Sequence, residues 1–254
     1  MKIEYSKENP FEFNRYGYAF EILKNNKSIN HLDFGAGTGD ILKIFKNHNL
    51  FKNGVGVDIS SKIGGDKKIS DVTLLQIPNI EEYAISNINK FDSITILDVL
   101  EHIYDQKHIL NNLYKMLKPK GTLIVTVPGK HLFSFFDMGN LKFVLPSLHK
   151  IFINIFKGKS YYFEQYGNPN NPLFGDVEKL KMWHQHFSLK EITQLLLESG
   201  FKVIDYDGSG FFTRPISVII YFLPSFLNKP LKKLNNLDCK IFNKANLYLY
   251  ALRQ

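Results

Sequence analysis

The sequence predicts an α/β protein built on a parallel sheet that helices cover on both faces. Three observations predict it. Short, nearly continuous apolar runs alternate with helix-patterned segments. Three glycines, Gly35, Gly37 and Gly39, fall within five positions directly after the first such run. The second run ends on an acid, Asp58. Continuous apolar strands mark a sheet buried on both faces, and alternation with helices marks parallel crossovers.

Each element follows from its pattern. Residues 11–27, FEFNRYGYAFEILKNNK, carry apolar side chains at helical spacing. Residues 29–34 read as a short strand running into the glycine turn, and Ile41, Leu42, Ile44 and Phe45 resume helical spacing after it. Strands are expected at 54–60, 71–75 and 91–99. Residues 105–121 form a helix with Leu110, Leu113, Tyr114 and Leu117 on one face, stopped by Pro119 and Gly121. TLIVTVP at 122–128 is the fifth strand. Ser188 caps a helix that a glycine closes at Gly200, a strand follows at 202–207, and NLYLYALR at 246–253 is the last strand. The whole of 1–254 reads as one domain with two insertions, 129–187 and 208–245, both too long for plain connections.

Composition bounds the function. The chain is 254 residues long, 44% hydrophobic, with a net charge of +8 and a single cysteine, Cys239. One cysteine excludes an internal disulfide and fits a reducing compartment, and MKIEYSKENPFEF holds no apolar run of signal-peptide length, so the cytoplasm is the expected location. The positive charge favours anionic partners. No dense Lys/Arg run with interleaved aromatics occurs, so nucleic acid is not an expected partner.

A glycine turn at the end of a buried strand lets the backbone bend and lets a ligand approach where no Cβ stands. The helix that follows aims free N–H groups and a positive dipole end at the same spot. The spacing is G-x-G-x-G, not the G-x-G-x-x-G of dinucleotide sites, which argues against NAD. Asp58, 19 residues after Gly39, stands where an acid accepts from both ribose hydroxyls, and Asp33 stands where one could accept from a cationic amino group. A ligand with a ribose, an adenine and an ammonium fits this pattern.

LDFGAGTGD, GVDIS, FDSITILDVLEHI and LKPKGTLIVTVP, in that order, resemble the class I S-adenosylmethionine-dependent methyltransferases, especially their small-molecule and glycan or lipid branch. HQHFSLKEITQLLLESGF extends the likeness to about residue 207. The resemblance implies a Rossmann-like, doubly wound seven-stranded sheet whose last strand is antiparallel, with S-adenosyl-L-methionine as cofactor. It implies that Gly35, Gly37 and Gly39 line the methionine portion with Asp33 beneath it, that Asp58 holds the ribose, that Leu97 and Asp98 flank the sulfonium, and that Ala36 and Ile59 also belong to the cofactor site. The stretch Ile77 to Ile80 is left to meet the adenine through its backbone.

Methyl transfer needs an acceptor atom placed against the methyl and a group to take its proton. Candidates after the fourth strand are Asp98, Glu101, His102 and Asp105, and His102 beside Glu101 is a general base. The Asp98-x-x-Glu101-His102 spacing is similar to that of ubiquinone-pathway O-methyltransferases, where a Glu-x-x-Glu-His segment goes with a divalent metal. The aspartate here is one methylene shorter, and no metal is expected. His184 and His186, just before the capped helix, form the second cluster, with His186 the other candidate for proton removal. His131 and His149 read as surface residues. An Asn/Asp-Pro-Pro-aromatic segment of amino-group methyltransferases is absent after the fourth strand, NPNNPLF at 168–174 lies in the insertion, and Cys239 lies far from the fourth strand. An oxygen acceptor is therefore favoured: a small polar molecule, a sugar or a lipid-linked one.

Residues 131–167 read as a lid over the cleft, with Lys159, Tyr161 and Tyr162 as acceptor contacts. The apolar run from Ile216 to Leu227 is too short to span a bilayer. For 214–233 three readings stand open: burial, a homodimer contact, or a peripheral contact with the inner membrane surface. RNA or protein as acceptor, a nicotinamide-dependent oxidoreductase, and a non-catalytic cofactor-binding module are the alternative functions.

Overall fold

The computed structural model describes residues 4–11, 13–58, 67–69, 72–137, 140, 145–167, 184–223 and 228–254. Helix α1 (Arg15–Asn26) starts four residues later than the sequence pattern suggested, because the Asn14 side chain caps it by accepting from the N–H groups of Tyr16 and Gly17. Strand β1 (Ser28–Phe34), helix α2 (Asp40–Asn47) and strand β2 (Phe51–Asp58) follow, and then β3 (Lys67–Ile69), β4 (Val72–Gln76), α3 (Ile80–Ile85) and β5 (Phe91–Leu97). Helix α4 (Gln106–Met116) ends earlier than expected: β6 (Leu117–Pro128) already begins at Leu117, and a register shift against β5 takes up Pro119 and Gly121. The chain then forms α5 (Pro146–Phe156), α6 (Leu189–Glu198), β7 (Phe201–Ser209), α7 (Thr213–Phe222), α8 (Asn228–Ile241) and β8 (Asn246–Arg253).

The sheet order is β3-β4-β2-β1-β5-β6-β8-β7. Strands β1, β2, β4, β5 and β6 pair in parallel, and β8 enters antiparallel between β6 and β7. The seven strands of the expected fold are all present. The three-residue β3, antiparallel to β4, adds an eighth at the edge.

Two cores lie against this sheet. One gathers Tyr18, Phe20 and Leu23 of α1 with Leu42 and Phe45 of α2. The other gathers Leu110 and Leu113 of α4 with Ile192 and Leu196 of α6. Helices on both faces are what continuous apolar strands require. Helix α6 starts with a full capping box between Ser188 and Glu191, worth about 1 kcal/mol. The described parts of both long insertions form helices and join the carboxyl ends of the strands, where Gly129 pairs with Phe187 and Gly210 with Asn243. No helix among the described residues is long and apolar enough to cross a membrane.

Candidate active site

The parallel register sets the first part of the site. Asp33 stands opposite Gly56 on β2 and Thr95 on β5. Gly35 then leaves the strand at φ +80°, where an added Cβ would sit 2.3 Å from the Val99 side chain. Gly39 at φ +74° would collide with Leu74 in the same way. Gly37, at φ +53°, faces open space: a Cβ there would meet no atom within 4 Å. The turn is fixed by the N–H groups of Gly35 and Ala36, which both donate to the Val57 carbonyl, at 2.8 and 3.1 Å. Gly37 donates to the Asp58 carboxylate at 2.9 Å, and Ile77 donates to the Asp58 carbonyl. The bare backbone and the carboxylate thus form a cradle with polar walls. It can hold a ribose-bearing cation, since Asp33 and Asp58 supply negative charge and Gly37 leaves open space before its backbone. Ile59 lies outside the described residues.

Asp33 is buried and accepts from the Thr95 hydroxyl at 2.7 Å. Thr95 also meets His31 Nε2 at 3.2 Å, and His31 Nδ1 meets the Ser93 hydroxyl at 2.7 Å. With the Thr95 hydroxyl donating to Asp33, the consistent arrangement has His31 Nε2–H donating to Thr95 and Ser93 donating to Nδ1. Burial pushes the Asp33 carboxyl up to about 6, against the Thr95 bond and with the help of Asp58. Burial holds His31 down at about 3, so its imidazole is neutral.

The second part follows β5. Leu97 is half-buried at the strand end, and Asp98 takes the left-handed conformation at φ 54°. Its carboxylate accepts from the Thr126 hydroxyl at 2.7 Å and from Arg15 of α1 at 2.5 Å. A 3-10 turn, Leu100–His102, buries Glu101 almost completely and brings its Oε1 to 3.9 Å from His102 Nε2. Burial, followed by the charge of Asp98, raises the Glu101 carboxyl well above the ordinary range. Asp105 caps α4 through the His108 N–H.

The insertions supply the third part. The His102 and His184 rings meet edge to face at 4.5 Å. Asp137 joins three partners: His186 Nε2 at 2.6 Å, Arg214 Nη1 at 2.8 Å and His184 Nδ1 at 3.8 Å. Burial works against its charge, but the bonds from His184 and His186 and the Arg214 charge win, and its carboxyl lies far below the usual range. Arg214 also donates to the Ala245 carbonyl at 2.9 Å.

The structure thus brings His102 and His184 together and places His186 one step away, behind Asp137. Arg15, Thr126, Asp137 and Arg214 carry no local motif, and sequence reading missed them. Two histidines are not where the sequence put them. His149 is buried on the inner side of α5, beside Ile153 and near Tyr162, while the apolar stripe of that helix turns outward. His131 is half-buried and bridges the Gly129 and Phe211 carbonyls. Tyr161 meets Tyr221, Trp183 and 168–174 lie outside the described residues, and Cys239 sits in α8 near Thr213.

Comparison with known proteins agrees with this geometry. A family model described as a methyltransferase domain matches residues 8–206, well over half of the chain. An uncharacterised protein of Methanocaldococcus jannaschii is 27% identical over 77% of this chain and 71% of its own length. The ubiquinone/menaquinone biosynthesis C-methyltransferase UbiE of a Shewanella species is 27% identical over 74% of this chain and 72% of its own. A SAM-dependent methyltransferase of Archaeoglobus fulgidus superposes with a TM-score of 0.55, at 14% identity, over 94% of this chain and 92% of its own. The chain therefore belongs to the methyltransferase-domain family, and its fold is that of the S-adenosylmethionine-dependent class.

Proposed function

We propose that this chain transfers a methyl group from S-adenosylmethionine to an oxygen of a small acceptor: a polar molecule, a sugar or a lipid-linked one. The observation that carries the reading is the junction at Gly35. Only a glycine fits against Val99 there, so the bare-backbone cradle of β1 and the turn bearing Glu101 and His102 lie in direct contact. S-adenosylmethionine supplies a methyl group on a positively charged sulfur, so the protein has only to align an acceptor and take its proton.

The residues divide that work. Asp58 accepts from the ribose hydroxyls, and Asp33 lies beneath the turn, where a cationic amino group favours its ionised form. Ala36, Gly37 and Gly39 offer backbone, and Leu97 and Asp98 close the side facing the methyl. Arg15 and Thr126 hold Asp98 in its left-handed conformation. His102 takes the acceptor proton. Glu101 stands beside it, its carboxyl raised well above the ordinary range by burial. His186 is nearly buried between Asp137 and Arg214 and acts by fixing the insertion that carries His184.

The C-methyltransferase relatives favour a second reading, in which the acceptor atom is carbon. Incubating the protein with donor carrying a carbon-13 methyl and a cell-envelope extract separates the two. The carbon shift of the transferred methyl is expected in the methoxy range. A C-methyl signal moves the assignment to the second reading, and failure to bind S-adenosylhomocysteine together with no label transfer removes both.

A further inference from the structure

Helix α5 presents an inverted amphipathic surface. Leu148, Ile151, Phe152, Ile155 and Phe156 follow the i, i+3, i+4, i+7, i+8 rule for a buried stripe, yet every one is exposed, Ile155 by 70%. The buried side holds His149 and Ile153 instead. The sequence reading of 131–167 as a lid over the cleft does not say what this exposed stripe meets.

A second apolar surface adjoins it. Between α7 and α8 runs a groove of about 420 Å³, lined by Phe212, Ile219, Leu234, Leu237, Ile241 and Phe242 among others. The two surfaces meet where the Lys157 ammonium lies 4.9 Å over the Tyr221 ring and the Tyr221 hydroxyl donates to Tyr161. Exposed lysines edge both: Lys150, Lys157 and Lys159 by α5, and Lys229, Lys232 and Lys233 on α8. Among the described residues of α5, α7 and α8 the single acid is Asp238, which is buried and bonded to the N–H groups of Phe211 and Phe212.

We infer that the α5 stripe and the α7–α8 groove together dock on an anionic lipid bilayer, apolar side chains at the headgroup boundary and lysines against the headgroups. Apolar side chains edged by lysines, with no exposed acid among the described residues of α5, α7 and α8, are complementary to that surface. A second copy of the chain would set lysines against lysines. Arg214 on α7 reaches the Asp137–His186 pair, so docking places the bilayer beside the acceptor cleft.

Sedimentation of the full chain with vesicles tests this without using methyl transfer, so its failure leaves the proposed activity standing. Vesicles of phosphatidylcholine with roughly one third phosphatidylglycerol should bind the protein at low salt, and phosphatidylcholine alone should bind it far less. Ile151→Glu with Ile155→Glu should weaken binding by about ten-fold or more. Lys232→Ser with Lys233→Ser changes only exposed residues and should weaken it by about five-fold per lysine. Absence of binding to the anionic vesicles overturns the inference, as does binding that neither pair of substitutions alters. Light scattering that shows a dimer split by the isoleucine substitutions overturns it in favour of a second copy.

Discussion

Gly37 gives its backbone N–H to the Asp58 carboxylate at 2.9 Å, fastening the tip of β1 to the tip of β2 across 21 residues of chain. The bond orients one carboxylate oxygen and leaves the carboxylate at the cradle, where a diol can reach it. Asp58→Ala is expected to weaken S-adenosylhomocysteine binding by ten- to hundred-fold, about the 1.5–3 kcal/mol of hydrogen bonds to a charged group. Asp58→Asn keeps an acceptor for Gly37 and should lose less. Titration calorimetry reads both, and an unchanged affinity in Asp58→Ala refutes the ribose assignment.

The glycines separate fold from binding. Gly35→Ala meets both a left-handed backbone and the Val99 side chain, so it should cost about 2–3 kcal/mol in a urea melt. Gly37→Ala carries only the backbone cost, on the order of 1 kcal/mol, because its Cβ enters open space. That space is the cradle, so Gly37→Ala should lose donor binding while remaining folded. Equal stability losses in the two variants would contradict the geometry.

What the sequence made legible was local. The strands, the glycine turn and Asp58 are written in runs of a few residues whose period or spacing has one physical reading. The pairs that complete the site are separated by 83 residues for Arg15 and Asp98, 77 for Asp137 and Arg214, and 49 for Asp137 and His186. Only the topology brings them together. Helix α5 shows a different limit: its periodicity is a clear helix signal, but periodicity cannot say whether the stripe meets protein or something else. His149, which stands alone in the sequence and reads as a surface residue, is buried on the side opposite the apolar stripe.

Asp33 makes stability depend on pH with a defined sign. Its carboxyl is raised from 3.8 to about 6 in the folded protein, so the folded state holds the proton more tightly than the unfolded chain. The contribution to stability is therefore complete below about pH 4, falls as pH rises towards 6, and is lost above it. The span corresponds to a loss on the order of 3 kcal/mol. Asp33→Asn should flatten this part of the stability profile, since it keeps an acceptor for Thr95 without a charge to bury. Denaturant melts at pH 4 to 7 check it, and a wild-type profile that rises across this interval would rule out the assigned shift.

His102 and His186 carry different work, and kinetics can tell them apart. His102 Nε2 lies 3.9 Å from Glu101 and the ring touches that of His184, at the end of β5 next to the cradle. His186 lies between a carboxylate and a guanidinium, with a side chain only 10% exposed. Removing a general base lowers turnover by about 10²–10⁴-fold with little effect on donor binding, so His102→Gln should show a kcat loss of that order. His186→Asn leaves Asp137 with Arg214 but without its closest partner, and Arg214→Met leaves that buried carboxylate without its fixed positive charge. Both should loosen the insertion, raise the acceptor KM and lower the melting temperature, with a smaller change in kcat. A large kcat loss in His186→Asn with an intact fold, beside a nearly active His102→Gln, would transfer the proton to His186 and reverse the assignment.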